Sequence, residues 1–148
     1  MDLADLDLPP ATMQAMGDAV VKRAVAHLAS LHRQPSRGDV DAADLCRTLR
    51  EPTAPDAGVA LDPLLDQLFD ELIPRSYNTP GPGYLAFIPG GGIYPAALAD
   101  FIADTTNRYT GVWAASPALV QLEANVLEWL RDWMSFPTGT AGLLTTGG

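Results

Sequence analysis

The sequence predicts a mainly helical chain that closes with the opening strand and turn of an α/β domain. Three observations carry that expectation. Apolar residues recur at three- or four-residue steps through three leading segments with no strand between them. A strong helix start, Ser116-Pro117, pairs a hydroxyl cap with a proline at the first helical position. Residues 142–146 read as a short buried strand running into Gly147-Gly148.

The elements follow in order. Pro9 and Pro10 stop earlier regular structure and pre-set a first helical turn. Over residues 11–33, Met13, Met16, Val20, Ala24, Leu28 and Leu31 form one stripe, expected to be buried. Gln34 precedes Pro35 and is pushed out of helical space, which ends the element. Asp39 or Asp41 then caps a short helix carrying Leu45, Cys46 and Leu49, closed by Pro52. After a Pro- and Ala-rich connector over residues 51–58, Asp62-Pro63 supplies an acid cap and a proline for a third helix. Leu64, Leu65, Leu68, Phe69, Leu72 and Ile73 make its inner face, and Pro74 comes at its end.

The character changes over residues 76–92. Pro80, Gly81, Pro82 and Gly83 lead into Tyr84-Leu85-Ala86-Phe87-Ile88, expected as a buried extended segment, although five residues do not separate strand from loop. Pro89 and three glycines follow. Tyr94-Pro95 opens a helix to about Asn107 that packs Leu98, Phe101 and Ile102. The Ser116 helix runs to about Ser135, roughly 27 Å at 1.5 Å per residue. Its apolar side carries Leu119, Leu122, Val126, Trp129, Leu130 and Trp133. A strand over residues 142–146 needs a partner for its backbone groups, and almost nothing else in the chain qualifies. A strand followed by glycines commonly turns into a helix whose N-terminus binds phosphate. The chain is therefore expected to be truncated inside a larger α/β domain, with the Trp129 and Trp133 face left uncovered.

Composition narrows the function classes. A formal charge of −9 and nine basic residues with no stripe argue against a phosphate-backbone binder. The hydrophobic share of 47% is that of a globular protein, not a disordered one. Cys46 is the only cysteine, so it forms no internal disulfide, and no Cys/His cluster surrounds it. The N-terminus carries acid where a signal peptide needs positive charge, and no apolar run reaches membrane length. A cytoplasmic location is expected.

Candidate chemistry-bearing residues are few. The glycines at 90–92 and 147–148 would let backbone N–H groups approach an anion. No P-loop or dinucleotide motif accompanies them, and each is ordinarily a turn. His27 and His32 are five apart on one helix and face apart, which argues for packing and against a shared metal. Asp39, Asp41, Asp44, Asp62 and Asp66 lie near helix starts, where carboxylates stabilise caps and the dipole. Glu123 reads as structural. Tyr84, Phe87, Tyr94, Tyr109 and Trp113 gather aromatics near the glycines, either as packing or as lining for a planar ligand.

Three runs add a resemblance. Residues 87–100, Phe-Ile-Pro-Gly-Gly-Gly-Ile-Tyr-Pro-Ala-Ala-Leu-Ala-Asp, resemble a segment of the group II pyridoxal-phosphate decarboxylases. That family includes aromatic-L-amino-acid, histidine, glutamate and 2,4-diaminobutyrate decarboxylases. Trp113-Ala114-Ala115-Ser116-Pro117-Ala118, with Leu122-Glu123 a turn later, resembles a second signature, and Leu144-Thr145-Thr146-Gly147-Gly148 resembles the start of a third. The likeness is sharp over residues 77–148 and architectural before that.

The resemblance implies a fold type I enzyme, usually a homodimer whose N-terminal helices wrap onto the partner. It divides the chain into residues 1–83, a helical segment, and residues 84–148, the beginning of the cofactor-binding large domain. Members remove the α-carboxylate of an amino acid, with pyridoxal phosphate taking up the electrons left behind. By position, Gly147 and Gly148 match the phosphate-binding turn, with Gly90 also toward the cofactor. Phe87, Ile88, Pro89 and Gly90 match the stretch lining the substrate pocket, and Tyr109 and Gly111 match positions reaching toward the neighbouring subunit's site. Gly111 stands where aromatic-substrate members are bulky and Phe87 where they carry tyrosine, which leaves the amino-acid substrate open. The cofactor needs a Schiff-base lysine. The one lysine, Lys22, lies in the first helix and matches no such role, so no catalytic residue is assigned within the chain. The expectation is the inactive N-terminal portion of a decarboxylase. The alternatives are a non-catalytic helical module that associates with an intact decarboxylase, and an unrelated helical protein whose glycine runs are only turns.

Overall fold

The computed structural model describes residues 7–38 and 42–145. Contacts divide the chain into two units, Met1–Gly92 and Ile93–Gly148. Among the described residues the regular structure is helical throughout, apart from one isolated antiparallel bridge between Arg37 and Tyr77. None of these helices is long and apolar enough to cross a membrane.

The first unit contains α1 (Pro10–Ser30), α2 (Ala42–Thr48) and α3 (Leu61–Asp66). Helix α1 starts where Pro9-Pro10 place it and tightens into a 3₁₀ turn over Leu31–Arg33 before Gln34 turns extended at φ −81°, ψ 145°. Helix α3 continues into a wide turn over Gln67–Leu72 and a 3₁₀ turn over Ile73–Arg75. Pro74 explains the change of pitch. It has no N–H to donate, and its ring would collide with the carbonyl four residues back in a regular helix.

Leu65 holds the contact between α1 and α3 and is 6% exposed, the one apolar side chain buried among the described residues. Around it the ties are polar. Arg23 of α1 spans two carboxylates of α3, with Nη1 3.2 Å from Asp62 and Nη2 2.5 Å from Asp66. The hydrogen bond to Asp66, its charge and that of Asp62 raise the Arg23 pKa above the ordinary arginine value, outweighing the desolvation that opposes them. The Arg23 guanidinium is thereby held in its charged form. Asn78, also buried, donates from Nδ2 to the Leu31 carbonyl (3.3 Å) and from its backbone N–H to Ser36 (3.1 Å). Gly38 donates to the Ser76 carbonyl at 3.1 Å, and this approach requires glycine: a Cβ there would lie 1.7 Å from the Pro74 carbonyl oxygen.

Several expectations need correction. Met13, Val20 and Leu28 of the α1 stripe are exposed, because α3 covers a narrower strip than the sequence pattern offers. Leu64 of α3 and Leu68 of the wide turn are likewise exposed. The cap of α3 is Ala60, not Asp62, which lies inside the first turn and turns to Arg23 instead. The expected caps Asp39 and Asp41 lie outside the described residues. The segment over residues 84–88 is neither extended nor buried. Phe87 and Ile88 have φ 58° and 43° and bend the chain outward, since no strand lies alongside to satisfy an extended backbone there.

The second unit contains α4 (Tyr94–Thr106) and α5 (Pro117–Trp133), joined through a 3₁₀ turn at Trp113–Ala115. Asn107 ends α4 in the left-handed region at φ 44°, a conformation asparagine tolerates. Ser116 occupies the cap position of α5, but its side chain makes no capping bond, since ψ of 61° departs from the extended cap geometry; its carbonyl accepts from Val120 at 3.0 Å. The half-buried side of α5 carries Val120, Glu123, Ala124, Leu127, Leu130 and Arg131. Residues 142–145 run beside that side without forming the expected strand, and Leu143 and Leu144 are exposed. Thr146 lies outside the described residues.

Leu65→Ala is expected to lower the stability of the first unit by about 3 kcal/mol, within the range for buried leucine truncations. Gly38→Ala should also lower its urea midpoint, because backbone rather than a movable side chain is in the way. Circular dichroism during urea titration reads both.

Candidate functional site

Phe87, Ile88, Pro89 and Gly90 form an exposed turn at the end of the first unit, with Phe87 89% and Ile88 93% exposed. Two successive non-glycine residues at positive φ are rare, and a β-branched residue there is strained, at a cost of order 1–3 kcal/mol each. Strain of this kind concentrates in ligand-contacting segments. The turn holds an aromatic ring and an aliphatic side chain outward, with nothing of the first unit covering them.

Tyr109 and Gly111 lie in the second unit, between α4 and the Trp113 turn, and both are exposed. They meet each other. The phenol of Tyr109 folds over Gly111, so that a Cβ on residue 111 would lie 2.5 Å from the Tyr109 oxygen and 2.6 Å from Cζ. The ring thus occupies the volume that a side chain at 111 would take. Gly147 and Gly148 lie outside the described residues.

Other candidates resolve into packing. His27 is half-buried and meets Phe69 edge to face, with centroids 6.0 Å apart. His32 is exposed beside Arg33. Tyr84 leans on Tyr77 at 5.9 Å, while Tyr94 is half-buried and Trp113 exposed. Asp44 pairs with Arg47 on α2, and Cys46 on the same helix is an exposed free thiol. Glu123 accepts from the Leu144 backbone N–H at 3.5 Å and so helps seat residues 142–145 on α5. A Cβ on Gly142 would touch Leu127 at 3.5 Å, placing that segment against the same side of the helix.

The described residues do not fit pyridoxal phosphate by themselves. A Cβ added at Gly90, Gly91 or Gly92 would meet no atom within 4 Å, so these glycines form an open strand of chain, not a close cradle. Lys22 is exposed on α1. Sequence reasoning also missed the Arg23 clamp, the Asn78 ties and the stacking of Tyr109 on Gly111. Only the last had a local signal, an aromatic two residues from a glycine; the first two join residues thirty-nine or more positions apart.

On the opposite side of α5 lie Leu119, Leu122, Val126, Trp129 and Trp133, all exposed, with Trp133 at 77%. Their spacing of three and four residues makes one continuous apolar stripe, as expected for an uncovered face.

Comparison with known proteins places this arrangement. The model of the pyridoxal-dependent decarboxylase conserved domain matches residues 44–148. An aromatic-L-amino-acid decarboxylase of Bacillus atrophaeus is 28% identical over 144 residues, covering 97% of this chain and 30% of the relative. Tyrosine decarboxylase 1 of Narcissus pseudonarcissus is 26% identical, over 88% of this chain and 25% of its own length. The chain thus spans less than a third of these relatives. Among solved structures, Rhodiola rosea 4-hydroxyphenylacetaldehyde synthase superposes with a TM-score of 0.79 at 19% identity, over 88% of this chain and 28% of that one. Catharanthus roseus tryptophan decarboxylase, solved with L-tryptophan, gives 0.77 at 24% identity and the same shares. At these identities the structures report shared fold.

Replacing Leu122 and Trp133 by glutamine is expected to leave α5 helical while reducing the binding of an apolar dye several-fold, since the stripe is the exposed apolar face of that helix. Dye fluorescence with circular dichroism on the same samples checks this.

Proposed function

Since the chain belongs to the pyridoxal-dependent decarboxylase family, we propose that its residues are the amino-terminal portion of an enzyme that removes the α-carboxylate of an L-amino acid to give an amine and carbon dioxide. The observation that carries this reading is the family match over residues 44–148. Pyridoxal phosphate is the cofactor of the whole enzyme. Within it, residues 1–83 act as a helical segment wrapping a second subunit, and residues 84–148 begin the cofactor domain. The whole enzyme is a cytoplasmic homodimer.

The 148 residues alone are proposed to be inactive. A Schiff base needs a lysine amine beside the cofactor, and the single lysine, Lys22, projects from the exposed surface of α1. The contribution of this stretch is to shape a pocket, not to move protons. The strained Phe87-Ile88 turn offers apolar side chains to a substrate. Tyr109, folded over Gly111, offers a ring and a hydroxyl near the same substrate from the neighbouring subunit. In the complete enzyme Gly147 and Gly148 hold the cofactor phosphate, with Gly90 near the cofactor.

A second reading is favoured by the uncovered α5 stripe: the chain associates with an intact decarboxylase as a non-catalytic module. Co-purification with a full-length homologue supports it, and a strictly monomeric, non-associating chain counts against it.

The chain mixed with pyridoxal phosphate is expected to show no imine absorbance and to release no carbon dioxide from any amino acid. A borohydride-trapped adduct located at Lys22 by mass spectrometry, with turnover, would overturn the inactivity. Assay of the full-length gene product with pyridoxal phosphate and amino acids tests the reaction itself. An amine product upholds it, and an aldehyde product assigns the reaction class of the Rhodiola neighbour instead.

A further inference from the structure

The first unit carries a half-open hollow that none of the residues matched to the cofactor or substrate lines. It lies where the end of α1, the wide turn after α3 and residues 76–80 meet, and measures about 340 Å³. That is within the span of small-molecule sites, roughly 300–1,000 Å³. Its lining is mostly apolar, with Phe69, Ile73, Tyr77 and Pro80, and also carries the polar side chains of Gln34 and Asn78. At its rim stands the exposed carboxylate of Asp70.

We propose that this cavity binds a small organic cation, a primary ammonium carried on an aromatic or branched apolar body. Asp70 makes no ion pair or hydrogen bond among the described residues. One neighbouring cation is already committed. Arg23 lines the adjoining hollow together with His27, Gln34, Phe69 and Asp70, and its guanidinium is shared between Asp62 and Asp66. The His27 ring is fixed by its edge-on contact with Phe69 and by Gln34, whose Nε2 lies 3.3 Å from His27 Nδ1 and donates to Ser30 Oγ at 2.7 Å. The wall is thus held open by its own contacts. Phe69 and Tyr77 supply aromatic rings to the lining, and an aromatic ring attracts a cation that reaches its face, while Asp70 attracts it by charge. An anion would meet Asp70 within a chain of net charge −9. A neutral ligand would gain the apolar wall but leave the carboxylate unanswered.

The wide turn is what places these groups together. In a regular helix Phe69 and Asp70 would project at a different angle, so Pro74, by forcing the change of pitch, also sets the cavity's mouth. Ammonium binding here requires no decarboxylation by the chain. It would make the first unit a sensor of amines, the chemical class that the proposed reaction releases.

The test is titration of the 148-residue chain with 2-phenylethylammonium, its neutral counterpart 2-phenylethanol and the anion phenylacetate, followed by amide shifts of residues 69–80. Saturable shifts with the ammonium are expected, with the alcohol weaker by about tenfold, the factor for ~1.4 kcal/mol, and phenylacetate not binding. Asp70→Asn should abolish the preference for the ammonium over the alcohol while leaving the circular dichroism spectrum unchanged. Asp44→Asn, on another helix, should change nothing. Equal binding of alcohol and ammonium, an unaltered preference in Asp70→Asn, an equal loss in Asp44→Asn, or no saturable shift with the ammonium each overturns it.

Discussion

The contact through Leu65 is the constraint on which the first unit depends, because it is the one apolar side chain buried among the described residues. Full burial of a leucine contributes about 1.5–3 kcal/mol, while ordering each residue costs about 1–2 kcal/mol. One such contact cannot offset the ordering of three helices. Half-buried Met16, Leu31, Phe69, Leu72 and Ile73 add apolar contact, and polar ties at long sequence separation fix how the segments meet. Arg23 grips α3 at Asp62 and Asp66, and Asn78 fastens residues 76–80 to the end of α1. Gly38 lets two backbones approach where any side chain would collide.

That economy of burial shapes everything the chain offers a partner or ligand. In the second unit, α5 uses one side to seat residues 142–145 and leaves the Trp129 and Trp133 stripe outside. In the first, the strained turn at Phe87 and Ile88 keeps two large apolar groups almost wholly in water. Both features cost free energy in this chain, and both become favourable where apolar surface lies against them. Family membership supplies a context for such surface, since the decarboxylases matched here are more than three times the length of this chain.

Membership and chemistry part company within these residues. The match covers residues 44–148 and the fold superposes well, yet the glycines at 90–92 enclose nothing and the lone lysine is on an exposed helix face. What these residues bring is shape: a bent apolar turn, and a tyrosine ring lying where a side chain at residue 111 would be.

The sequence by itself determined the helices and the family. Prolines at 10, 95 and 117 marked three helix starts within one residue, because a missing N–H and a fixed φ are local properties. The signature runs identified the decarboxylase family without reference to geometry. Which residues are covered was decided by tertiary structure alone. The periodicity of α1 located an apolar face but not its cover, so Val20 and Leu28 lie exposed where Leu65 does not. Asp62 looked like a cap and became half of an ion-pair clamp, since its partner stands thirty-nine positions away on another helix. Residues 84–88 and 142–145 carried the composition of strands and form none here. A strand exists only through the neighbour that completes its hydrogen bonds, and no single segment can encode that neighbour.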